Sequence, residues 1–193
     1  MEKNVQSLIK NKKNLAEDEV KELLKSFDIK TTDFVLLKKD ESVKELPFDF
    51  PVALKVCSSS ILHKTDVDGV KLNISSMKEL QQEINRFRKK FPEENLLIDH
   101  MVDPGVEVII GLIQVPTFGL SIMVGVGGIY TEVYQDVSFR VIPIDKYDAK
   151  EMLEDVKGKK LLEGFRNIKA DKQQVIDLLL KVSDLGNELI DVV

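Results

Sequence analysis

The run Val52-Ala53-Leu54-Lys55-Val56-Cys57 constrains this chain more than any other stretch. It is short and apolar, which predicts a strand over 51–57 with Val52, Leu54 and Val56 on one face and Ala53, Lys55 and Cys57 on the other. An ammonium on a half-buried strand is costly unless an anion meets it or its stem reaches water. Lys55 is therefore either a lysine snorkelling from an edge strand or one that meets a phosphate in a cleft between two lobes.

The flanking sequence supplies the elements for two such lobes. Residues 1–13 are polar and read as a frayed extension. Over 16–27, Val20, Leu23, Leu24 and Phe27 recur at helical spacing and predict one apolar stripe. A β-leaning run follows at 31–37. After the strand at 51–57 comes a polar loop over 58–69, then a strand at 70–74. Ser76 with Glu79 has the spacing of a capping box before a helix that turns Leu80, Ile84 and Phe87 inward. The first lobe is thus expected over 14–98. A strand at 96–99 runs into a Pro- and Gly-bearing hinge at 100–105, and the second lobe is expected over 99–193. Strands at 106–113, 121–124 and 129–144, with turns at 116–119 and 125–128, suit a mostly antiparallel sheet. Helices at 148–156 and 171–185 close it, the second with Asp171 as N-cap and Val175, Leu178, Leu179, Val182 and Leu185 as its buried stripe.

Composition removes several function classes. With 43% hydrophobic and 32% charged residues in 193, the chain is in the globular range. Its net charge of −5 argues against nucleic acid or an anionic membrane as the main partner. The longest apolar stretch, 106–115, is interrupted by Glu107, Gly111 and Gln114 and falls short of the ~18 residues of a membrane span. A single cysteine, Cys57, and two histidines, His63 and His100, leave no Cys-rich or His-based zinc site and suggest a reducing, cytoplasmic setting.

Four groups of residues could carry chemistry. Ile61-Leu62-His63-Lys64-Thr65-Asp66-Val67-Asp68-Gly69 joins an imidazole, an ammonium and two carboxylates in one loop. A neutral imidazole can attack phosphorus while an adjacent lysine steadies the phosphate, although a plain surface loop is the commoner meaning of such a histidine. Gly125-Val126-Gly127-Gly128 is either a tight hairpin turn or a place where backbone amides approach a phosphate. Glu132, Asp136 and Arg140 recur at spacing four, which on a strand places them on one face, solvated or functional. Glu107 is a charge lodged in an apolar strand, where a ribose diol would be a natural partner.

Taken together, Pro51-Val52-Ala53-Leu54-Lys55, the His63 loop, Glu107-Val108-Ile109-Ile110-Gly111, Phe118-Gly119, Gly125-Val126-Gly127-Gly128 and Asp136-Val137-Ser138-Phe139-Arg140 strongly resemble one family. It is the ATP-grasp domain, or β subunit, of the NDP-forming acyl-CoA synthetases, relatives of succinyl-CoA synthetase, and the resemblance runs from about Asn14 to the carboxyl end. It implies an α+β fold whose two lobes hold ATP or ADP between them. It also implies that acid, CoA and nucleotide are interconverted through a phosphorylated histidine, with Mg²⁺ as cofactor. On this pattern Lys55 and Lys64 would meet nucleotide phosphates, and the backbone of Asp99, His100, Met101 and Val102 would take the adenine edge. Glu107 would bind ribose. Arg140 would face the transferred phosphate beside Gly127 and Gly128, and His63 would accept phosphate from the partner α subunit's histidine and pass it to ADP.

Three departures from the pattern stand out. Asp68-Gly69 replaces a usual Gly-Gly, Gln114-Val115-Pro116 replaces a typical Arg-Asp-Pro, and the sequence stops at Ile190-Asp191-Val192-Val193, ahead of the family's Mg²⁺-associated acids. The resemblance accordingly implies metal ligands beyond Val193, and a chain that is inactive without that segment and without an α partner carrying the CoA-binding and phosphohistidine functions. The expected protein is a cytoplasmic hetero-oligomeric ligase subunit. The alternative is an ATP-grasp module with a regulatory or interaction role and no turnover.

Overall fold

A computed structural model describes residues 14–127, 136–164 and 171–190. The chain divides into two compact units, Met1–Asp103 and Pro104–Val193. The division falls later than the expected 98/99 boundary because the strand that precedes it continues through His100. Asp99 and His100 therefore belong to the first unit.

The first unit is a four-stranded antiparallel sheet in the order β1-β4-β2-β3, formed by β1 (Phe34–Leu37), β2 (Val52–Cys57), β3 (Val70–Ile74) and β4 (Asn95–His100). Strand β2 lies inside the sheet, not at its edge, so Lys55 has no route to water along an open strand. On one face Val52, Leu54, Leu96, Ile98, Leu37 and Ile74 pack against Leu80, Ile84 and Phe87 of α2 (Met77–Lys90). The Ser76 hydroxyl accepts from the Glu79 N–H at 3.3 Å, as a capping box requires. The Glu79 carboxylate, however, reaches one residue further back, accepting the Ser75 N–H at 3.0 Å.

The other face of the sheet carries Ala53, Lys55, Leu97 and Asp99 in register. Helix α1 (Glu17–Ser26) reaches this face through its charged side chains. Leu23 is buried as expected, but Val20 is 37% exposed while Lys21 is 7% exposed. The helix is rotated from its apolar reading because Glu17 and Lys21, one turn apart, meet opposite charges on the strands.

The second unit is a three-stranded antiparallel sheet, β5-β6-β7, of β5 (Val108–Val115), β6 (Gly119–Val126) and β7 (Val137–Val141). Its helices are α3 (Lys146–Asp155), α4 (Lys159–Leu162) and α5 (Lys172–Leu189). Ile122, Val124 and Val126 pack with Met152 and Leu153 of α3 and Ile176 and Leu179 of α5. Strand β6 runs further than expected, so Gly125 lies within it and not in a turn: it pairs with Ile109 on one side and Val137 on the other. A Cβ at Gly125 would stand 2.7 Å from the Asp136 carbonyl oxygen, which explains the glycine by close approach of backbone. Of the strand expected at 129–144, Val137–Val141 is observed, and residues 128–135 lie outside the described residues.

Helix α5 buries Ile176, Leu179, Ser183, Leu185 and Gly186, whereas Val175, Leu178 and Val182 are only half-buried. Its inward stripe includes two small residues for steric and polar reasons. A Cβ on Gly186 would come within 2.7 Å of Ile142 Cδ1, and Ser183 Oγ accepts the buried Ile144 N–H at 3.0 Å. Among the described residues no helix is long and apolar enough to cross a membrane. Ser183→Ala strands the Ile144 N–H and should lower stability by about 1–3 kcal/mol in denaturant unfolding. Asn187→Ala, at an exposed position on the same helix, should change it by less than about 0.5 kcal/mol.

Candidate functional site

Five charged side chains of the first unit form one connected network. Lys55 Nζ donates to Glu17 Oε1 and to Asp99 Oδ2, each at 2.7 Å. Lys21 Nζ donates to Asp99 Oδ1 at 2.7 Å, to Thr32 Oγ1 at 2.5 Å and to the Thr32 carbonyl oxygen at 3.2 Å. The Thr32 hydroxyl in turn donates to Asp99 Oδ1 at 2.6 Å. Lys64 closes onto Glu17 through Oε2. Three ammonium groups thus share two carboxylates, and the network carries one surplus positive charge. Lys21 spends all three of its N–H groups in it, Lys55 two and Lys64 one.

The pairs hold Glu17, Asp99 and Lys55 in their charged forms. Burial pulls the Glu17 and Asp99 pKa values upward, but hydrogen bonds from Lys55 and Lys64 to Glu17, and from Lys21, Lys55 and Thr32 to Asp99, outweigh it and hold both carboxyls below their ordinary values. For Lys55, burial pulls downward, and the hydrogen bonds to Asp99 and Glu17 win, raising it. Cys57 lies beside this network and differs from it. Its thiol donates to Asp18 Oδ1 at 3.1 Å, and burial is the main cause that pushes it up to about 11, so it stays protonated at neutral pH.

The loop after β2 carries His63, which is exposed, and Lys64, which is half-buried. Its second half is a self-bonded turn: the Asp68 N–H donates to the Thr65 carbonyl at 3.0 Å and the Gly69 N–H to the Lys64 carbonyl at 2.7 Å. Asp68 adopts φ of +48°, a left-handed conformation that aspartate tolerates better than most residues. There its carboxylate meets Arg86 at 2.6 Å and Lys90 at 3.2 Å on α2, which is what the Asp68 departure brings. Gly69 is required by packing, since a Cβ would stand 2.8 Å from Val56 Cγ1.

The structure thus brings together Lys55, Lys64 and Asp99, with His63 next to Lys64. Asp99 acts here through its buried carboxylate, not as a hinge backbone group. Of the other expected hinge positions, the His100 N–H donates to the Asp33 carbonyl at 2.9 Å and the Met101 N–H to the Pro51 carbonyl at 3.3 Å. The His100 ring stacks obliquely on Phe48 with centroids 5.5 Å apart, and Val102 is exposed. In the second unit Glu107 is exposed, and its carbonyl accepts the Gly127 N–H at 2.7 Å. A Cβ on Gly127 would stand 2.9 Å from Glu107 Cβ, so that glycine is required by Glu107. Arg140 is paired with Asp155 at 2.8 Å, and Asp136 accepts the Lys157 and Gly158 N–H groups at 2.8 and 2.6 Å. Gly128 and Glu132 lie outside the described residues. Among the described residues no three His, Cys, Asp or Glu side chains are arranged to hold a metal ion.

Glu17, Lys21 and Thr32 escaped the sequence reading. The available signal was the acid and base one helical turn apart in α1, opposite an unexplained lysine and aspartate on apolar strands.

Asp99→Asn keeps the shape but leaves Lys21 and Lys55 facing a neutral amide, and should cost about 3–5 kcal/mol in denaturant unfolding. Because the folded pKa values of Glu17 and Asp99 are lowered, their contribution is complete above the unfolded carboxyl value and is lost as pH falls through the folded values. Lys55, being raised, contributes below its unfolded value and loses that contribution as pH rises through its folded one. Thermal melts should therefore be level from roughly pH 5 to 9 and fall at both ends, with a shallower acid limb in Asp99→Asn. An acid limb of equal steepness in the variant would contradict the assignment.

The ATP-grasp domain family matches residues 6–193 of this chain. The β subunit of the ADP-forming acetate–CoA ligase II of Pyrococcus furiosus is 40% identical over 187 residues, covering 92% of this chain and 79% of that subunit. The ADP-forming acetate–CoA ligase II of Archaeoglobus fulgidus is 41% identical over 175 residues, covering 89% of this chain but only 26% of that protein. Among solved structures, the acetyl-coenzyme A synthetase 1 of Candidatus Korarchaeum cryptofilum, in complex with coenzyme A and Mg-AMPPCP, superposes with a TM-score of 0.78 at 33% identity over 97% of this chain and 86% of that one. Its phosphohistidine segment points towards the nucleotide-binding site. With its two antiparallel sheets and a buried lysine network behind a histidine loop, the chain belongs to the ATP-grasp domain family, in the branch formed by the β chains of ADP-forming acid–CoA ligases.

Proposed function

We propose that this chain binds ADP and ATP and passes a phosphoryl group between the nucleotide and His63, as the nucleotide-binding part of an ADP-forming acyl-CoA synthetase. The observation that carries the reading is the surplus positive charge at Lys55 and Lys64, two ammoniums fixed by carboxylates with N–H groups still to give, beside an exposed imidazole. Fixed cations of this kind stabilise the charge that spreads over a phosphoryl group in flight, without reorganising at the moment of transfer.

In the direction of ATP synthesis, the bond from phosphorus to an imidazole nitrogen of His63 breaks as a β-phosphate oxygen of ADP attacks. Lys55 and Lys64 would hold the phosphates, and Arg140, paired with Asp155 in this structure, is the further cation that the family pattern assigns to the transferred group. Glu107 would take the ribose hydroxyls. The Val102 backbone would meet the adenine edge, since the N–H groups of His100 and Met101 are already spent on Asp33 and Pro51. An α partner would supply the CoA site and the histidine that first receives phosphate, giving the net conversion of acyl-CoA, ADP and phosphate to acid, CoA and ATP. Magnesium would neutralise the nucleotide phosphates when bound. Among the described residues no cluster of three acidic, His or Cys side chains stands ready for it, and one or two carboxylates with the phosphates themselves would hold it. A cytoplasmic, reducing setting suits the free thiol of Cys57.

Calorimetric titration with ADP should give a saturable heat. Lys55→Met, which keeps the apolar stem, should weaken binding by roughly 1.5–3 kcal/mol, the worth of a charge-assisted hydrogen bond. An affinity unchanged by that substitution would remove Lys55 from the site. In parallel, γ-labelled ATP should leave an acid-labile label on the chain that is absent from His63→Ala, and a label persisting in that variant would place the phosphate carrier elsewhere.

A further inference from the structure

We propose that Glu17 is a positioning residue that couples the histidine loop to the phosphate-binding lysine, its one carboxylate bridging Lys55 through Oε1 and Lys64 through Oε2. The proposal rests on the nucleotide reading of those two lysines and assigns the residue that fixes them against each other.

Glu17 and Lys21 stand one turn apart on α1, while Lys55 and Asp99 stand on neighbouring strands, and the four side chains close a ring: Glu17 to Lys55, Lys55 to Asp99, Asp99 to Lys21, and back along the helix. Every ring residue is on a regular element, so the ring is stiff. Lys64 lies outside it, on the loop, and its described side-chain contact is with Glu17. The loop's other long-range ion pairs, from Asp68 to Arg86 and Lys90, involve an Asp68 side chain that is 61% exposed and are weak for that reason. The Glu17 to Lys64 pair, with side chains 22% and 19% exposed, is the tighter anchor. Removing the Glu17 charge therefore has unequal consequences. Lys55 keeps Asp99, so the phosphate-binding cation stays in place. Lys64 loses its carboxylate, and the turn that carries His63 is released.

Three readouts test this on the folded chain, with Glu17→Gln as the variant. Amide hydrogen exchange at Asp68 and Gly69 should quicken by about tenfold, while amides of β2 and β4 stay as protected as before. The rate at which His63 takes label from γ-labelled ATP should fall by about tenfold. There the P–O bond to the departing ADP breaks as the P–N bond forms at the imidazole nitrogen that carries no proton. The Kd for ADP should meanwhile rise by less than about threefold. Lys64→Met removes the other end of the bridge and leaves the ring intact. It should give the same exchange pattern, and combining it with Glu17→Gln should add nothing further. It also serves if Glu17→Gln fails to fold. Unchanged loop exchange in both variants, or an ADP affinity of Glu17→Gln that falls as far as its labelling rate, would overturn the proposal; Lys64→Met is read by loop exchange alone, because Lys64 is itself a phosphate ligand on that reading. If the unaltered chain takes up neither ADP nor label, the nucleotide reading fails, and hydrogen exchange alone decides whether Glu17 tethers the loop.

Discussion

The Asp99 carboxylate is the group on which the first unit turns. It lies 6% exposed at the end of β4 and accepts from Lys21, Lys55 and the Thr32 hydroxyl. Without that charge the buried ammonium of Lys21 would have no carboxylate to meet and Lys55 would keep only Glu17. A buried ion pair gains little net stability over a well-packed apolar pair, so stability alone does not account for this arrangement. What it supplies is aim: a lysine whose head is held by two carboxylates on two elements points in one direction whether or not an anion is present.

The two units are built on different physics. In the first, one sheet face is an ordinary apolar core with α2, while the other is polar and ionic. In the second, α3 and α5 close over apolar side chains, and glycines at 125, 127 and 186 admit close neighbours where a Cβ would collide. Its Asp136 accepts two backbone N–H groups, Arg140 donates to Asp155, Ser138 and the Phe139 carbonyl, and Glu154 pairs with Lys159 and Lys172 at the surface. The network of five charged side chains thus lies in the first unit, beside the histidine loop.

Much of this was legible in the sequence, for identifiable reasons. Strand β2, the polar loop, β3 and the inward stripe of α2 follow from periodicity that one-sided or two-sided burial imposes, and Asp171 caps α5 as its side chain dictates. Lys55 announced itself as a charge in an apolar strand, but its partners lie 38 and 44 residues away, a distance no local pattern spans. Helix α1 misled for the same cause: Val20 has the hydrophobicity of a core residue, yet Lys21 takes the buried position because Asp99 awaits it. The family resemblance implies a hinge-backbone role for Asp99, and β4 continues past it through His100. Ser183 and Gly186 in α5 carry no hydrophobic signal, and only the Ile144 N–H and the Ile142 side chain explain them. The family resemblance came from several short motifs in order, and it pointed to Lys55, Lys64 and His63 without indicating Glu17, which bonds both lysines, or Lys21, which bonds Asp99.

On the proposed function Lys55 and Lys64 are aimed at a nucleotide phosphate, while Lys21 serves to fix Asp99. Lysine side-chain NMR on the chain labelled at the ε-carbon tests it most directly, because each lysine reports its own ammonium as ADP is added. The Lys55 and Lys64 resonances should move together and saturate, while that of Lys21, whose three N–H groups are already bonded to Asp99 and Thr32, should stay where it is. Saturable binding of ADP that leaves Lys55 and Lys64 unmoved, or that moves Lys21 in their place, would contradict it.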